Sequence, residues 1–141
     1  MKKTLIILTI FFLTTSCSKL NIFGFGEKKN QYEKFQINEY LWKATDSILS
    51  SYTDTDTNLK DGLIKTDWIP LKKSRQKARI KITVYIIGSS LTKNNLEVSS
   101  EKQLYINDKW ENKNTSVSFN EKLKTNIFIR ATKKAGADGK I

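Results

Sequence analysis

Between Ala78 and Ile86 the side chains alternate without a break: Ala78, Ile80, Ile82, Val84 and Ile86 are apolar, with Arg79, Lys81, Thr83 and Tyr85 between them. A period of two puts successive side chains on opposite faces of a pleated strand, so this run specifies one buried face and one wet face. One-sided patterning of this kind belongs to antiparallel sheets, because parallel sheets are covered on both faces and read as near-continuous apolar runs. The segment is the expected central strand, and the remaining chain has to supply its neighbours and a cover for one face.

Candidate neighbours lie on both sides. Gly62 to Ile69 has strand composition, with Ile64, Thr66 and Trp68 assigned to one face, and Pro70 closes it because a ring without an N–H cannot continue a central ladder. After the turn signals Gly88-Ser89-Ser90 and Asn94-Asn95, Leu96, Val98 and Ser100 lead an antiparallel partner towards Leu104, ending before Asn107-Asp108. Trp110 either begins one more short strand or caps the sheet edge. Ile37, Leu41, Ala44 and Ile48 recur at helical spacing and predict a first helix over about residues 38–50, with Asn38 as its cap. The following stretch, Tyr52 to Gly62, reads as a short strand and a loop. Ser118-Phe119-Asn120-Glu121 has the form of a capping box, and Phe119, Leu123, Ile127 and Ala131 continue at four-residue steps as a closing helix, with a frayed tail expected from Ala135. The expected fold is a two-layer α+β domain over residues 37–134: about four antiparallel strands, with an N-terminal and a C-terminal helix on one face, helix-grip-like.

The first seventeen residues follow a different logic. Lys2 and Lys3 form a basic start, Leu5 to Leu13 a short apolar run, and Thr14-Thr15-Ser16 a small-residue stretch before Cys17. The apolar run falls well short of the ~20 residues a membrane-crossing helix needs. This order resembles the lipobox of bacterial lipoproteins, in which the Cys thiol receives a diacylglycerol; Thr14 stands where that pattern prefers Leu. The reading is a signal peptide over residues 1–16, lipidation at Cys17 and a flexible tether to about residue 36. The competing reading is ordinary secretion with a free Cys17. By resemblance to lipoprotein sorting, Ser18 implies the outer membrane, with the domain facing the periplasm.

Composition narrows the chemistry. With 141 residues, one Cys and no His, the chain has room for one domain, no intramolecular disulfide, and neither the commonest metal ligand nor the commonest general base. No enzyme, no cofactor and no metal site are expected. Asp54, Asp56, Asn58 and Asp61 superficially suggest a calcium loop, but the Gly and the closing Glu are misplaced for an EF-hand. The formal charge of +11 falls to +9 once Lys2 and Lys3 leave with the signal, which points to an anionic neighbour such as phospholipid headgroups or an acidic partner. AT-rich codon usage explains the Lys excess equally well. Nucleic-acid binding conflicts with export.

Asp67, Trp68, Arg79 and Lys81 are the candidate ligand or partner contacts. Alternation places Asp67 opposite the apolar face, and Arg79 and Lys81 on the basic face of the central strand. The structural alternative is that Asp67 accepts turn amides or pairs with a Lys, and that the basic face is simply solvated.

Three segments, Asn38 to Ala44 (NEYLWKA), Gly62 to Trp68 (GLIKTDW) and Lys81 to Ile86 (KITVYI), resemble in order and spacing the small alphaproteobacterial lipoproteins grouped as domain-of-unknown-function family 3576. That resemblance implies a signal peptide and an envelope location, and carries no assigned activity. The element order is also similar to the helix-grip domains of the C lipoprotein of the outer-membrane barrel assembly machinery, a likeness of topology alone. The expected function is therefore a non-catalytic envelope lipoprotein, held by an N-terminal lipid, that binds an envelope protein or other component. The alternative is a lipid or small-molecule carrier with a dry cavity lined by Ile82, Val84, Trp68 and helix residues.

Overall fold

The computed structural model describes residues 30–141; the signal segment, Cys17 and the tether up to residue 29 lie outside the described residues. The elements are helices α1 (Gln31–Lys34), α2 (Glu39–Leu49) and α3 (Val117–Ala137), and strands β1 (Thr55–Asn58), β2 (Leu63–Thr66), β3 (Ile69–Pro70), β4 (Ala78–Ile86), β5 (Leu96–Ile106) and β6 (Lys109–Lys113). All strand pairings are antiparallel and form one sheet in the order β1-β2-β4-β5-β6, with β3 also on β4. The α+β class holds, but the sheet has six strands rather than about four. The count rises because the single run read over Gly62 to Ile69 is split into β2 and β3, and because Trp110 belongs to a strand of its own, β6. The edge strands β1 and β6 are short and mostly polar, a composition that discourages edge-to-edge pairing.

β4 is the central strand, with Ala78, Ile80, Ile82, Val84 and Ile86 all buried. Its apolar face meets Leu41, Ala44 and Leu49 of α2 and Leu123, Ile127 and Ala131 of α3 in one core, joined by Ile64 and Leu96 from the flanking strands. Asn38 caps α2 as its position predicts, its Oδ1 accepting from the Leu41 amide at 2.9 Å. The same side chain donates from Nδ2 to the Ser89 carbonyl at 2.8 Å, which ties the helix start to the turn after β4. Gly62, φ +64°, turns β1 into β2 so close to β4 that a Cβ there would lie 2.3 Å from the Ile86 carbonyl oxygen.

Three sequence expectations about the helical segments need correction. The stretch before Ile37 is not all tether: Asn30 starts α1, and Tyr32 and Phe35 pack against the core, so residues 30–36 belong to the domain. The Ser118–Glu121 capping box does not form. The α3 N-cap is Ser116, which makes no side-chain cap bond, while the Thr115 hydroxyl donates to the Ser100 carbonyl at 2.8 Å and Glu121 pairs with Lys93 at 3.5 Å. Anchorage to β5 therefore starts the helix earlier than the local motif would. At the other end α3 continues to Ala137 with Ala135 fully buried, because the four-residue stripe extends one step past Ala131 and still faces the core.

Candidate interaction surface

The motif Thr66-Asp67-Trp68 sits where β2 passes into β3. Lys65 pairs with Thr83 and Ile69 with Ile80, so residues 66–68 stand opposite only Lys81 and Ile82. One extra residue is inserted, a β-bulge. In an unbroken ladder the Ile82 amide would donate to the backbone of Thr66, as the Ile86 amide does to the Gly62 carbonyl at 2.8 Å. Instead it donates to the Thr66 hydroxyl at 2.9 Å. Thr66 is buried, and its side chain restores the bond that the bulge removes. Asp67 is exposed and its Oδ1 accepts from the Trp68 amide at 2.8 Å. Its amide in turn donates to the Asp54 carbonyl at 3.2 Å.

The inserted residue inverts the alternation beyond it. Ile64 and Thr66 do share the buried face, but Trp68 is turned to the other one, correcting its assignment to that face. A period-two reading carries no term for an inserted residue, so it assigns Trp68 to the opposite face from the one it takes.

On the open face Trp68 meets the cations of β4. The Arg79 Cζ lies 4.5 Å from the Trp68 ring centre and 4.0 Å from that of Trp110, so the guanidinium is held between two indoles. Its Nε donates to the Gln103 Oε1 at 2.8 Å, and Gln103 Nε2 donates to the Asn112 Oδ1 at 2.8 Å. Lys77 Nζ stands 4.9 Å from the Tyr105 ring and 5.6 Å from Trp110, and Lys81 Nζ is 5.7 Å from Trp68. Tyr105 and Trp110 meet edge to face at 5.2 Å. The salt bridges among the described residues involve Lys43, Lys93 and Lys113, none of them on this cluster. Contact with both rings holds the Arg79 head group in place, and none of the salt bridges among the described residues involves it, so it suits recognition of carboxylate or phosphate oxygens.

Trp68, Arg79 and Lys81, three of the four sequence-predicted contacts, are thus brought together by the fold. Asp67 lines an adjoining depression with Asp54, Asp56, Lys65 and Lys81. The sequence reading missed Lys77, Gln103, Tyr105 and Trp110. A signal for two of them was present: Asn107 (φ 46°) and Asp108 (φ 60°) form a two-residue hairpin turn, and counting outward from it sets Tyr105 opposite Trp110. The Asp54–Asp61 stretch serves the β1–β2 turn, where Asn58 Oδ1 accepts from the Asp61 amide at 3.3 Å and Asn58 Nδ2 donates to Asp61 Oδ2 at 2.6 Å.

The helix-covered face carries a separate cavity of about 240 Å³ lined by Ile69, Leu71, Ile80, Ile82, Phe119 and Leu123, with Tyr52, Lys122 and Asn126 completing its wall. Of the residues expected to line a carrier cavity, Ile82 does so, whereas Val84 and Trp68 do not. Val84 is sealed beneath the helices farther along β4, and Trp68 is on the other face. On α2, the Lys43 ammonium bonds Glu39 and holds its carboxyl below the ordinary glutamate range, while the same bond raises Lys43.

Comparison with known proteins follows the same boundaries. A family model described as "Domain of unknown function (DUF3576)" matches residues 35–135, from the aromatic that closes α1 to the last buried alanine of α3. The "Uncharacterized protein RP420" of Rickettsia prowazekii (strain Madrid E) is 30% identical over 99 residues, which is 67% of this chain and 59% of that protein. The chain thus spans less than two thirds of that relative's length. With most of its domain matched from end to end, the chain belongs to the DUF3576 family.

Proposed function

We propose that this is a non-catalytic, lipid-anchored protein of the cell envelope, probing the periplasm from the outer membrane and binding another envelope component through the open face of its sheet. The observation that carries the reading is Arg79 clamped between Trp68 and Trp110. Ordering a long cation costs side-chain entropy, and the two indoles meet that cost before any partner arrives. Aromatic and arginine side chains grouped at the centre of a patch are also what dominates the energetics of protein interfaces. The basic start, short apolar run and small residues before Cys17 support the anchor, and a chain without His supports a binding rather than a catalytic role.

Two measurements test the two halves. A photoreactive residue at Thr83, on the open face, should crosslink one envelope component in living cells, and Arg79→Ala should abolish that product. The same residue at Ile129, exposed on α3, should give no such product. Equal crosslinking from both positions, or a product indifferent to Arg79, rejects the open face as the binding surface. For the anchor, the parent should incorporate radioactive fatty acid and sediment with membranes, and Cys17→Ser should do neither. An unlabelled, soluble parent returns the protein to ordinary secretion.

A further inference from the structure

We infer that the cavity on the helix-covered face is a binding site for the acyl chain of an anionic lipid, with the chain against Ile80, Ile82 and Leu123 and the headgroup among lysines at its mouth. The inference is independent of the open-face reading, since the two sites lie on opposite sides of the sheet. The wall is almost wholly hydrocarbon: Ile69, Leu71, Ile80, Ile82, Phe119 and Leu123. Its volume of about 240 Å³ lies below the roughly 300–1,000 Å³ of sites that enclose a drug-sized ligand, and has room for part of an acyl chain. Tyr52, 61% exposed, and Phe119, 37% exposed, stand at the opening as large rings on the water side of an apolar site.

Charge at the opening selects the headgroup. Tyr52, Ile69 and Leu71 are shared with an adjoining groove whose other lining residues include Lys72, Lys73 and Lys102. Lys122 is part of the cavity wall itself. Neither the cavity nor the groove has a carboxylate in its lining, and none of these four lysines is among the salt-bridged cations of the described residues. An apolar recess with a purely cationic rim complements one chemistry, a hydrocarbon chain ending in a carboxylate or phosphate. That group is carried by a free fatty acid or by an anionic phospholipid.

The test uses the full chain in phosphatidylcholine vesicles and three photoreactive probes with a diazirine near the chain end: a fatty acid, the fatty alcohol of equal length, and phosphatidylglycerol. Mass spectrometry should map saturable label to residues 69–71, 80–82 and 119–126, with the acid exceeding the alcohol by about five-fold, the worth of a few exposed ion pairs. Combined Lys72→Glu, Lys73→Glu and Lys102→Glu should reduce the acid to the level of the alcohol. Asn126→Trp, at an exposed wall position that leaves the core intact, should lower label from both. A thermal melt confirms that each variant is folded. Cavity labelling by phosphatidylglycerol as well as the acid identifies bilayer lipid as a source, and labelling by the acid alone identifies free fatty acid. Equal labelling by acid and alcohol in the parent, label outside the cavity, or label unaffected by Asn126→Trp overturns the proposal.

Discussion

Thr66→Val isolates the role of the hydroxyl at the bulge. The two side chains are nearly isosteric, so the volume beneath the sheet is kept, but the Ile82 amide loses its acceptor at 2.9 Å. Thr66 is 2% exposed, so water cannot replace it without opening the sheet. An orphaned buried donor costs about 1–3 kcal/mol. Burying a methyl in place of the hydroxyl returns up to about 0.8 kcal/mol. The net loss should be about 1–2 kcal/mol, or roughly 5–10 °C in Tm for a domain of this size. Chemical denaturation gives the first number, and amide hydrogen exchange gives the site: Ile82 should lose protection while Val84 and Ile86 keep theirs. Thr66→Ser, which retains the oxygen, should leave the Ile82 amide protected. If Thr66→Val is as stable as the parent and Ile82 remains protected, the backbone has closed the ladder itself and the hydroxyl was not required.

Other expectations follow from the same geometry. Deleting Asp67 removes the inserted residue, so β2 and β3 should merge into one regular strand with Trp68 still on the open face and Ile69 still inward; an Ile82 amide bond to the Thr66 backbone, seen by NMR, is the check. Arg79→Lys should cost about 0.5–2 kcal/mol through lost stacking and shift the emission of Trp68 and Trp110, a change absent from variants in which both are replaced and only Trp42 remains. Gly62→Ala should destabilise by more than about 1 kcal/mol, since it adds strain at φ +64° to a clash with the Ile86 carbonyl, as a shifted urea midpoint will show. The Glu39–Lys43 pair sets a pH window: with Glu39 lowered, its contribution is present above the unfolded glutamate value and is lost as pH falls through the folded one. With Lys43 raised, its share is present below the unfolded lysine value and lost as pH rises through the folded one. Both residues are substantially exposed, so Glu39→Gln should cost only about 0.3–0.5 kcal/mol near neutrality and nothing in acid, read from urea midpoints against pH.

What the sequence determined by itself was whatever depends on short-range periodicity and on a residue's own backbone chemistry. The alternation from Ala78 to Ile86 specified a central strand and its buried face, the helical spacing from Ile37 to Ile48 specified α2, and Asn38 was legible as its cap. The candidate contacts Trp68, Arg79 and Lys81 were legible as residue types, but their meeting was not. Tertiary structure decided features set by a partner distant in sequence. The bulge exists only as a mismatch in count between β2–β3 and β4, and it alone determines which face Trp68 takes. The sandwich around Arg79 requires Trp110 to arrive from β6, across β5, so no local window holds it. Thr115 on Ser100 displaced the start of α3 from a capping box that is locally sound, and burial of Ala135 prolonged the helix beyond the point where its sequence turns polar. A local motif is worth about 1 kcal/mol, and contacts to a packed neighbour of that size or larger override it.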